Sequence, residues 1–582
     1  MAGLRSRLTR LGASSLPVLS AAVAAVVYLT PAVDTPFYTK GEAREAVLVQ
    51  AMRAEGNYVL PLRNGDEIPS KPPLFHWFAA AAAALGGGVS ELSTRTPSVA
   101  SAALVVGVTA WLGARMFSTT AGWVAAIVLG SSVTFFVAAT SARVDMLLAA
   151  AITVALAVFH ADWSASRRGL GHGFHAAVAA AVLAKGPVGF VLPWLIVAVF
   201  LAATRDRDYA RLLRPLAAVA WLALPVAWYV AAYALAGDAF LAKQLVQENF
   251  QRLLDAEGGA TGHVKPVYAH LPLLLGGIAP WSLLWIAAAG YGSRECFTVR
   301  SRSLLFLLVW IAAPLALLSL AGSKRAVYML PSYPACALLV AWWWTQAQGW
   351  THDAIERGER WWRWIAQATA AVLGVALAVL LLQSLGLPLD RLIAGFLSDG
   401  DRANLAAIAA SLGGVRGQVA TGAILGMTAV GAFSLAVSRG RRDLAAVAIG
   451  VFAAAAIAGG SLTLQRTIAS TQSVKPFVEG IVARADAGAE WAFYRDVSYP
   501  VAFYARRPVP SLDAIEALPA DRPAVVFAFA ERADELRVTS AAAGRVATEL
   551  DRFTFGDNPE RDPLMVFIVT PAPPVGSPPS GG

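Results

Sequence analysis

Two acidic residues in a largely apolar chain could carry acid–base chemistry. Glu42 follows the first apolar run, and Asp145 lies in a gap of a few residues between two later runs. Two carboxylates that face a common cavity can take a proton from an acceptor and orient a reacting group. The structural alternatives are a solvated loop for Glu42 and a helix N-cap for Asp145. The pair therefore predicts a catalytic site, with these two alternatives left open.

A second set of candidate site residues consists of lysines and an arginine that lie between apolar runs. Lys71 precedes two prolines, Lys185 interrupts an apolar stretch ahead of a Gly-Pro pair, and Lys324 and Arg325 stand together with almost no loop around them. A kink explains the Gly-Pro pair but not the lysine before it. Such cations suit the phosphate or pyrophosphate of a lipid-linked substrate. Pairing with nearby acids would explain them without any ligand.

The segment at residues 237–268 is long and polar and adds further candidates. Glu248, Asn249 and His263 are possible contacts of a donor or an acceptor, and Arg252 could hold a phosphate. A lone histidine is more often a hydrogen-bonded structural residue than a metal ligand. In the first long loop, Asn64-Gly65 predicts a tight turn that folds the loop back.

The composition places these residues in a membrane protein. Of 582 residues, 57% are hydrophobic and 15% are charged, and the mean hydropathy is +0.57. Soluble domains carry about a quarter charged residues, so an ordinary cytosolic enzyme and a disordered protein are both excluded. Cys296 and Cys336 lie far apart, so neither a disulfide framework nor a metal cluster is predicted.

Apolar runs of about 20 residues, the length that crosses a bilayer, recur along the chain. The stretch Leu74–Leu85 is shorter and follows two prolines, which favours an interfacial or re-entrant helix. Residues 1–465 are therefore predicted to form a polytopic α-helical transmembrane domain with about thirteen spans. The spans lie near residues 15–33, 97–114, 119–139, 145–161, 173–184, 187–203, 215–236, 269–291, 303–321, 326–346, 364–386, 418–437 and 443–463.

The arginines predict the orientation of these spans. The formal net charge is +9, and arginine clusters fall in every second loop, as short cytoplasmic loops require. This alternation puts the N-terminus in the cytoplasm and the loops 34–96 and 237–268 on the outer face. Because the basic residues form no single stripe with aromatics, nucleic acid is not expected as a partner.

From about residue 470 the composition becomes that of a soluble domain. Residues 470–570 are predicted to form a small α/β domain, which thirteen spans place in the periplasm. The Pro-, Gly- and Ser-rich residues 571–582 are predicted to be disordered. The expected strands are residues 491–494, 501–504, 524–529 and 565–569, and the expected helices are residues 474–485 and 530–543.

Several motifs resemble, in order and spacing, those of the C-type membrane glycosyltransferases. The resemblance covers about residues 15–345 and is strongest to the bacterial branch that includes the lipid A aminoarabinose transferase and relatives of the protein O-mannosyltransferases. The motifs are Gly41-Glu42-Ala43-Arg44, residues 57–65 leading into Lys71-Pro72-Pro73-Leu74, Ala142-Arg143-Val144-Asp145-Met146-Leu147, Ala184-Lys185-Gly186-Pro187, Glu248-Asn249 with Arg252 and His263, and Ser323-Lys324-Arg325 before Tyr328.

The resemblance implies a donor sugar linked to a polyprenyl phosphate and inverting transfer to a lipid A-like or other envelope acceptor. The reaction would occur on the periplasmic face of a bacterial inner membrane. Of Glu42 and Asp145, one would act as the base that activates the acceptor and the other would orient the donor sugar. The residues that would hold the lipid phosphate, the leaving group, are Lys71, Lys185, Lys324 and Arg325, with Arg44 and Arg252 as second choices, and Tyr328 is a further possible contact.

The chain departs from the family pattern at two positions. Relatives often have an acid where this chain has Gly41, and an acid before Lys-Pro-Pro where it has Ser70. Metal-independent catalysis is therefore expected, no cofactor is predicted, and His263 is only a weak metal candidate. The alternatives are a protein O-glycosyltransferase of the same fold, a transporter or flippase for a lipid-linked anion, and a non-catalytic scaffold. No internal repeat favours the transporter.

Overall fold

Helices form most of the chain up to residue 460, and a mixed β-sheet follows. The computed structural model describes residues 2–165, 171–206, 215–251, 266–345, 352–387, 413–460, 466–485, 488–519, 522–555 and 562–571. The first nine helices are α1 Ala2–Asp34, α2 Lys40–Glu55, α3 Leu74–Leu85, α4 Glu91–Met116, α5 Thr119–Gly130, α6 Val133–Ala139, α7 Val144–Ser164, α8 His172–Lys185 and α9 Val188–Thr204.

The next helices complete the membrane part. A π-helix, Ala242–Gln251, and three short 3₁₀ helices, Val267–Ala269, Ala326–Ser332 and Gly413–Val415, lie between them. The α-helices are α10 Pro215–Leu241, α11 His270–Gly277, α12 Ser282–Val299, α13 Arg302–Leu320, α14 Tyr333–Thr345, α15 His352–Ser384, α16 Arg416–Ser438 and α17 Arg442–Gly459.

Eight helices in the described ranges are long and apolar enough to cross a bilayer, and two bent helix pairs bring the number to ten. The pairs are α5 with α6, bent by 71°, and residues 267–277 with α12, bent by 116°. The chain is therefore a polytopic α-helical membrane protein, while the number of thirteen spans stays a prediction. The eight are Ser15–Val33, Glu91–Met116, Val144–Ser164, Leu216–Gln244, Arg302–Leu320, Ala326–Thr345, Arg360–Ser384 and Arg416–Ser438.

Glycines allow the first helices to pack closely. A Cβ atom on Gly107 would lie 2.8 Å from the carbonyl oxygen of Pro17, and one on Gly122 would lie 2.5 Å from that of Ala110. Small residues at such contacts let membrane helices approach backbone to backbone. At 12 residues, α3 is too short to cross a membrane, which agrees with an interfacial or re-entrant position.

The C-terminal part forms a five-stranded sheet with the order β2-β1-β3-β5-β4. Strand β1 pairs in parallel with β2 and β3, while β5 runs antiparallel to β3 and β4. One face packs on α21, and the other packs on α19, α20 and residues of α2. The elements are α18 Arg466–Gln472, α19 Lys475–Arg484, β1 Glu490–Tyr494, α20 Tyr499–Ala505, β2 Ser511–Leu512, β3 Ala524–Phe529, α21 Ala530–Ala542, β4 Arg545–Phe553 and β5 Leu564–Pro571.

The strand predicted at residues 501–504 is wrong, because these residues lie in helix α20. The helix begins with Tyr499-Pro500, and proline is favoured in the first turn of a helix. Six of the seven residues of α20 are buried, so the apolar run at residues 501–504 could not distinguish a buried strand from a buried helix. Strand β4 was not predicted, since its burial alternates only weakly.

The first long loop is joined to this sheet unit by specific hydrogen bonds. The predicted turn at Asn64-Gly65 is confirmed, with φ of 57° and 96° and a bridge between Arg63 and Glu67. The Asn64 side chain donates to the carbonyl oxygen of Val509 at 2.5 Å and accepts from its N–H at 2.9 Å. The Tyr499 hydroxyl donates to Glu67 at 2.5 Å. These contacts tie the loop that leads to Lys71 to the C-terminal unit.

Candidate active site at converging helix ends

Asp145 and Lys185 form an ion pair where α7 begins and α8 ends. The Lys185 ammonium donates to Oδ1 of Asp145, and the two side chains are 16% and 13% exposed. An acid in a first helical turn and a cation in a last turn also suit the helix dipoles. Lys185 Nζ lies 4.5 Å from the ring centroid of Tyr328. The structure thus brings three of the predicted site residues together.

The carboxylate of Asp145 is surrounded by further positive charge. The charges of Arg143 and Lys71 act on it in addition to that of Lys185. Lys71 is half-buried, and the loop before it is held by Gln244, whose side-chain amide donates to the carbonyl oxygen of Pro69 at 2.6 Å. This excess of cations over acids is the arrangement that an incoming phosphate requires.

Glu42 is buried and fully engaged in a different ion pair. Arg95 Nε donates to Oε1 at 2.8 Å, and its Nη2 donates to Oε2 at 3.2 Å. The N–H of Ala142 donates to Oε1 at 3.0 Å. Glu42 therefore fixes the segment that leads into Asp145. Because both of its carboxylate oxygens are engaged, this geometry favours a positioning role for Glu42 over that of a free base.

Sequence reasoning missed Arg95. This arginine is 2% exposed and lies in the second turn of α4, where it also donates to the carbonyl oxygens of Ala32 and Thr35. The available signal was its place just before an apolar run, in the loop at residues 34–96 that the arginine alternation predicts to lie on the outer side; Lys71 was identified by the same feature.

Lys324 does not have the exposed position expected of a phosphate-binding cation. Its side chain is 3% exposed, and its ammonium donates to the carbonyl oxygens of Ala321 at 2.6 Å and Gly322 at 3.5 Å. A lysine commonly satisfies the last carbonyls of a helix in this way. Arg325 beside it is exposed. Of this predicted pair, the structure leaves Arg325 as the cation available to a ligand and gives Lys324 a capping contact.

Arg44 is engaged by the neighbouring acid. Its guanidinium lies 2.9 Å from Oε1 of Glu45, while His76 Nε2 lies 2.8 Å from Oε2 of the same carboxylate. Burial alone would raise the pKa of Glu45, but the Arg44 charge and the His76 hydrogen bond outweigh it and hold this pKa well below its usual range. The Glu45–His76 contact ties α2 to α3.

The remaining predicted residues cannot be placed in the site. Arg252 and His263 lie outside the described residues, and for Glu248 and Asn249 only the helical backbone is described. Within the described ranges, no group of three or more His, Cys, Asp or Glu residues is arranged to hold a metal ion. At Gly41 a Cβ atom would meet no atom within 4 Å, so there is open space beside Glu42.

The wall of an apolar groove includes Val182 and Pro187, which flank Lys185 in the sequence. Its cavity measures about 480 Å³ and lies between α8, α9 and α10. The hydroxyl of Tyr229 in its wall is buried and has no hydrogen-bond partner among the described residues. A groove of this character suits a hydrocarbon chain whose charged end reaches Lys185. It is lined by Val182, Pro187, Val226, Tyr229, Val230, Tyr233 and Leu241.

Several known proteins are similar to this chain in sequence. A family model described as dolichyl-phosphate-mannose-protein mannosyltransferase matches residues 70–233, which include Lys71, Asp145 and Lys185. The undecaprenyl phosphate-alpha-4-amino-4-deoxy-L-arabinose arabinosyl transferase of Yersinia pestis is 26% identical over 322 residues. That match covers 54% of this chain and 57% of the relative, so the chain aligns with little more than half of the relative's length.

Solved structures extend the similarity to the whole fold. ArnT from Cupriavidus metallidurans bound to undecaprenyl phosphate superimposes with a TM-score of 0.74 at 22% identity, covering 95% of this chain and 97% of that one. Its apo state gives the same TM-score over 94% of this chain. The predicted resemblance is confirmed: the chain has the fold of the C-type membrane glycosyltransferases, and its sequence is similar to the lipid A aminoarabinose transferase branch of that family.

Proposed function

We propose that the protein transfers a sugar from a polyprenyl phosphate to a lipid A-like acceptor, with inversion at the anomeric carbon. The observation that carries this proposal is the cationic cluster around Asp145, together with an apolar groove whose wall includes Val182 and Pro187, which flank Lys185 in the sequence. A phosphate attached to a long hydrocarbon needs both features together. The names of the relatives, an arabinosyl transferase and an undecaprenyl phosphate complex, support the same donor class.

The donor would bind with its prenyl chain in the groove and its phosphate between Lys71 and Lys185. Arg325 is the exposed cation nearest in sequence to Tyr328, whose ring lies against Lys185, and it is proposed as a further phosphate contact. Arg44 and Arg252 stay second choices. Glu248, Asn249, His263 and Tyr328 are proposed to contact the donor or the acceptor.

Asp145 is proposed to act as the base. An acceptor oxygen attacks the anomeric carbon, the bond from that carbon to the phosphate oxygen breaks, and polyprenyl phosphate leaves with the bonding electrons. Lys185, which holds Asp145 in this structure, would turn to the departing phosphate and stabilise its charge. That exchange would release the carboxylate to take the acceptor proton. Glu42 would position this segment through Ala142.

The reaction is proposed to take place on the periplasmic side of a bacterial inner membrane. The alternation of arginine clusters supports a cytoplasmic N-terminus and places Lys71 and Lys185 on the outer side. With thirteen spans the C-terminal sheet unit, residues 470–570, would be periplasmic. Its hydrogen bonds to the loop that carries Asn64 are consistent with both lying on one side of the membrane.

The test is sugar transfer in proteoliposomes that contain a polyprenyl-phosphate-linked sugar and lipid A. Asp145→Asn and Lys185→Met should each lower the rate about 100-fold or more, as loss of a transition-state charge contact does. Asp534→Asn is the matched control, because its side chain is 94% exposed. Unchanged rates in the Asp145 and Lys185 variants would refute the site. Movement of the donor across the bilayer without product would support a flippase instead.

A protein acceptor is the second candidate, because the matching family model is named for protein mannosylation. The same proteoliposomes decide between the two when they are supplied with lipid A or with Ser- and Thr-containing peptides. Transfer to peptide alone would make the protein an O-glycosyltransferase, while transfer to lipid A alone would support the main proposal.

A further inference from the structure

A polar cavity of about 520 Å³ lies where the C-terminal unit meets α2 and the start of α4. This volume is within the usual range for small-ligand sites, about 300–1,000 Å³. The cavity is separate from the Asp145 cluster, with which it shares no residue. Its walls are Gln50, Val89, Ser90, Glu91, Lys475, Glu479, Val482, Ala483, Phe503, Tyr504, Ala505, Arg506 and Arg507.

The charges in this cavity do not cancel. Lys475 Nζ lies 3.0 Å from Oε1 of Glu91, and the Tyr504 hydroxyl donates to the same oxygen at 3.1 Å. The charge of Glu91 is therefore paired within the protein. Arg506 and Arg507 are exposed, and neither guanidinium has an acidic partner within 4.0 Å in the part of the chain that is described. Two adjacent guanidinium groups offer ten N–H donors to an anion.

The backbone at Arg506 is strained in a way that glycine would relieve. Arg506 ends α20 with φ of 55°, a left-handed conformation. Glycine is usual at this position because a Cβ atom makes the conformation costly. The conformation directs the chain from α20 into Arg507, whose guanidinium lies 5.1 Å from the ring centroid of Trp491. An arginine at such a position is consistent with a use for its side chain.

A short apolar helix, α3, leads through a glycine-rich turn into the wall of this cavity. Helix α3 ends at Leu85, which is 92% exposed, and Phe78 on the same helix is 49% exposed. Gly86–Gly88 then lead directly into Val89 and Ser90 of the cavity wall. An exposed leucine and phenylalanine on an apolar helix suit the interface of a bilayer. A ligand in the cavity would therefore be within reach of lipid headgroups.

We infer that this cavity binds the phosphate of an anionic lipid headgroup. Arg506 and Arg507 would take the phosphate as charge-assisted donors. Gln50, Ser90 and Glu479 would offer hydrogen-bonding groups to headgroup hydroxyls, and the acyl chains would lie beside α3. The inference does not depend on the proposed sugar transfer, because none of its residues belongs to the Asp145 cluster.

Binding is measured with the full-length protein in detergent and three probes. Short-chain phosphatidylglycerol is the anionic lipid, short-chain phosphatidylcholine is the zwitterionic lipid, and inorganic phosphate is the free anion. The wild-type protein should bind phosphatidylglycerol at least tenfold more tightly than either of the other two. Equal affinity for phosphatidylglycerol and phosphatidylcholine overturns the inference. Equal affinity for phosphatidylglycerol and inorganic phosphate overturns the lipid headgroup as the ligand.

Variants locate the binding. Arg506→Gln with Arg507→Gln should weaken phosphatidylglycerol binding at least tenfold. The control with the same charge change, Arg522→Gln with Arg552→Gln, should change it less than twofold, because these arginines are about half exposed and paired with other acids. Arg506→Gly keeps the left-handed turn without strain, so it should fold normally and still weaken binding. Unchanged binding in both cavity variants overturns the inference.

Discussion

The Glu42–Arg95 pair allows a positioning role for Glu42 to be separated from a catalytic one. Both side chains are nearly completely buried, at 4% and 2% exposure. Glu42→Gln would leave the Arg95 guanidinium without a compensating negative charge and would place an amide NH2 group opposite its Nη2. The glutamine could still accept from the N–H of Ala142, because its amide oxygen can occupy the place of Oε1.

The expected energies follow from this burial. Removing one partner of a buried ion pair costs about 3–5 kcal/mol, since the other charge is left uncompensated. Glu42→Gln and Arg95→Met should therefore each lower stability by about that amount. In the double variant neither charge of this pair remains, so its loss should be smaller than that of either single variant, because replacing a whole buried ion pair is often nearly neutral.

The assay combines thermal unfolding in detergent with sugar transfer in proteoliposomes. If Glu42 only positions the segment before Asp145, Glu42→Gln should lose activity in parallel with stability. The Glu42→Gln, Arg95→Met double variant should then regain part of both. A double variant that unfolds near the wild-type temperature but transfers no more sugar than Glu42→Gln would refute the positioning role and make Glu42 a base.

Three further predictions concern the loop, the pH response and the groove. Asn64→Ala leaves the buried N–H and carbonyl of Val509 unpaired, at about 1–3 kcal/mol each, and should make the C-terminal unit more sensitive to limited proteolysis. The folded pKa of Glu45 lies below its ordinary value of 4.5, so its stabilisation is complete above that pH and is lost as the pH falls further. Glu45→Gln should make the unfolding temperature less dependent on pH between pH 5 and pH 3, roughly the window in which this linkage acts. Val226→Trp narrows the apolar groove and should raise KM for the donor several-fold with kcat unchanged, whereas the same change at exposed Val538 should not.

Much of the architecture follows from local sequence. Long apolar runs predict helices that cross a bilayer, and eight such helices are present in the described part of the chain. The strand segments at residues 491–494, 524–529 and 564–569 are continuous apolar runs as well. The same local signal failed at α20, because burial on all sides looks alike in a strand and in a short helix.

The candidate site was predictable in its residue types but not in its pairings. Asp145 and Lys185 stood out because charge is costly beside apolar spans. That they neutralise each other across 40 positions depends on how α7 packs against α8. Lys324 stood out for the same reason, yet its ammonium serves two backbone carbonyls. Charge at a helix end is visible in sequence, whereas its partner is not.

By itself, the sequence determined that this is a membrane protein with acidic and basic residues placed between its apolar spans. Hydropathy and charge can be read in this way because they are properties of each segment alone. Only the tertiary structure decided that Glu42 is held by Arg95, 53 positions away, and that Asp145 is enclosed by cations beside an apolar groove. These relations arise when helix ends from distant parts of the chain converge. Since ion pairing and cavity shape depend on distance in space, they exist only after the helices have packed.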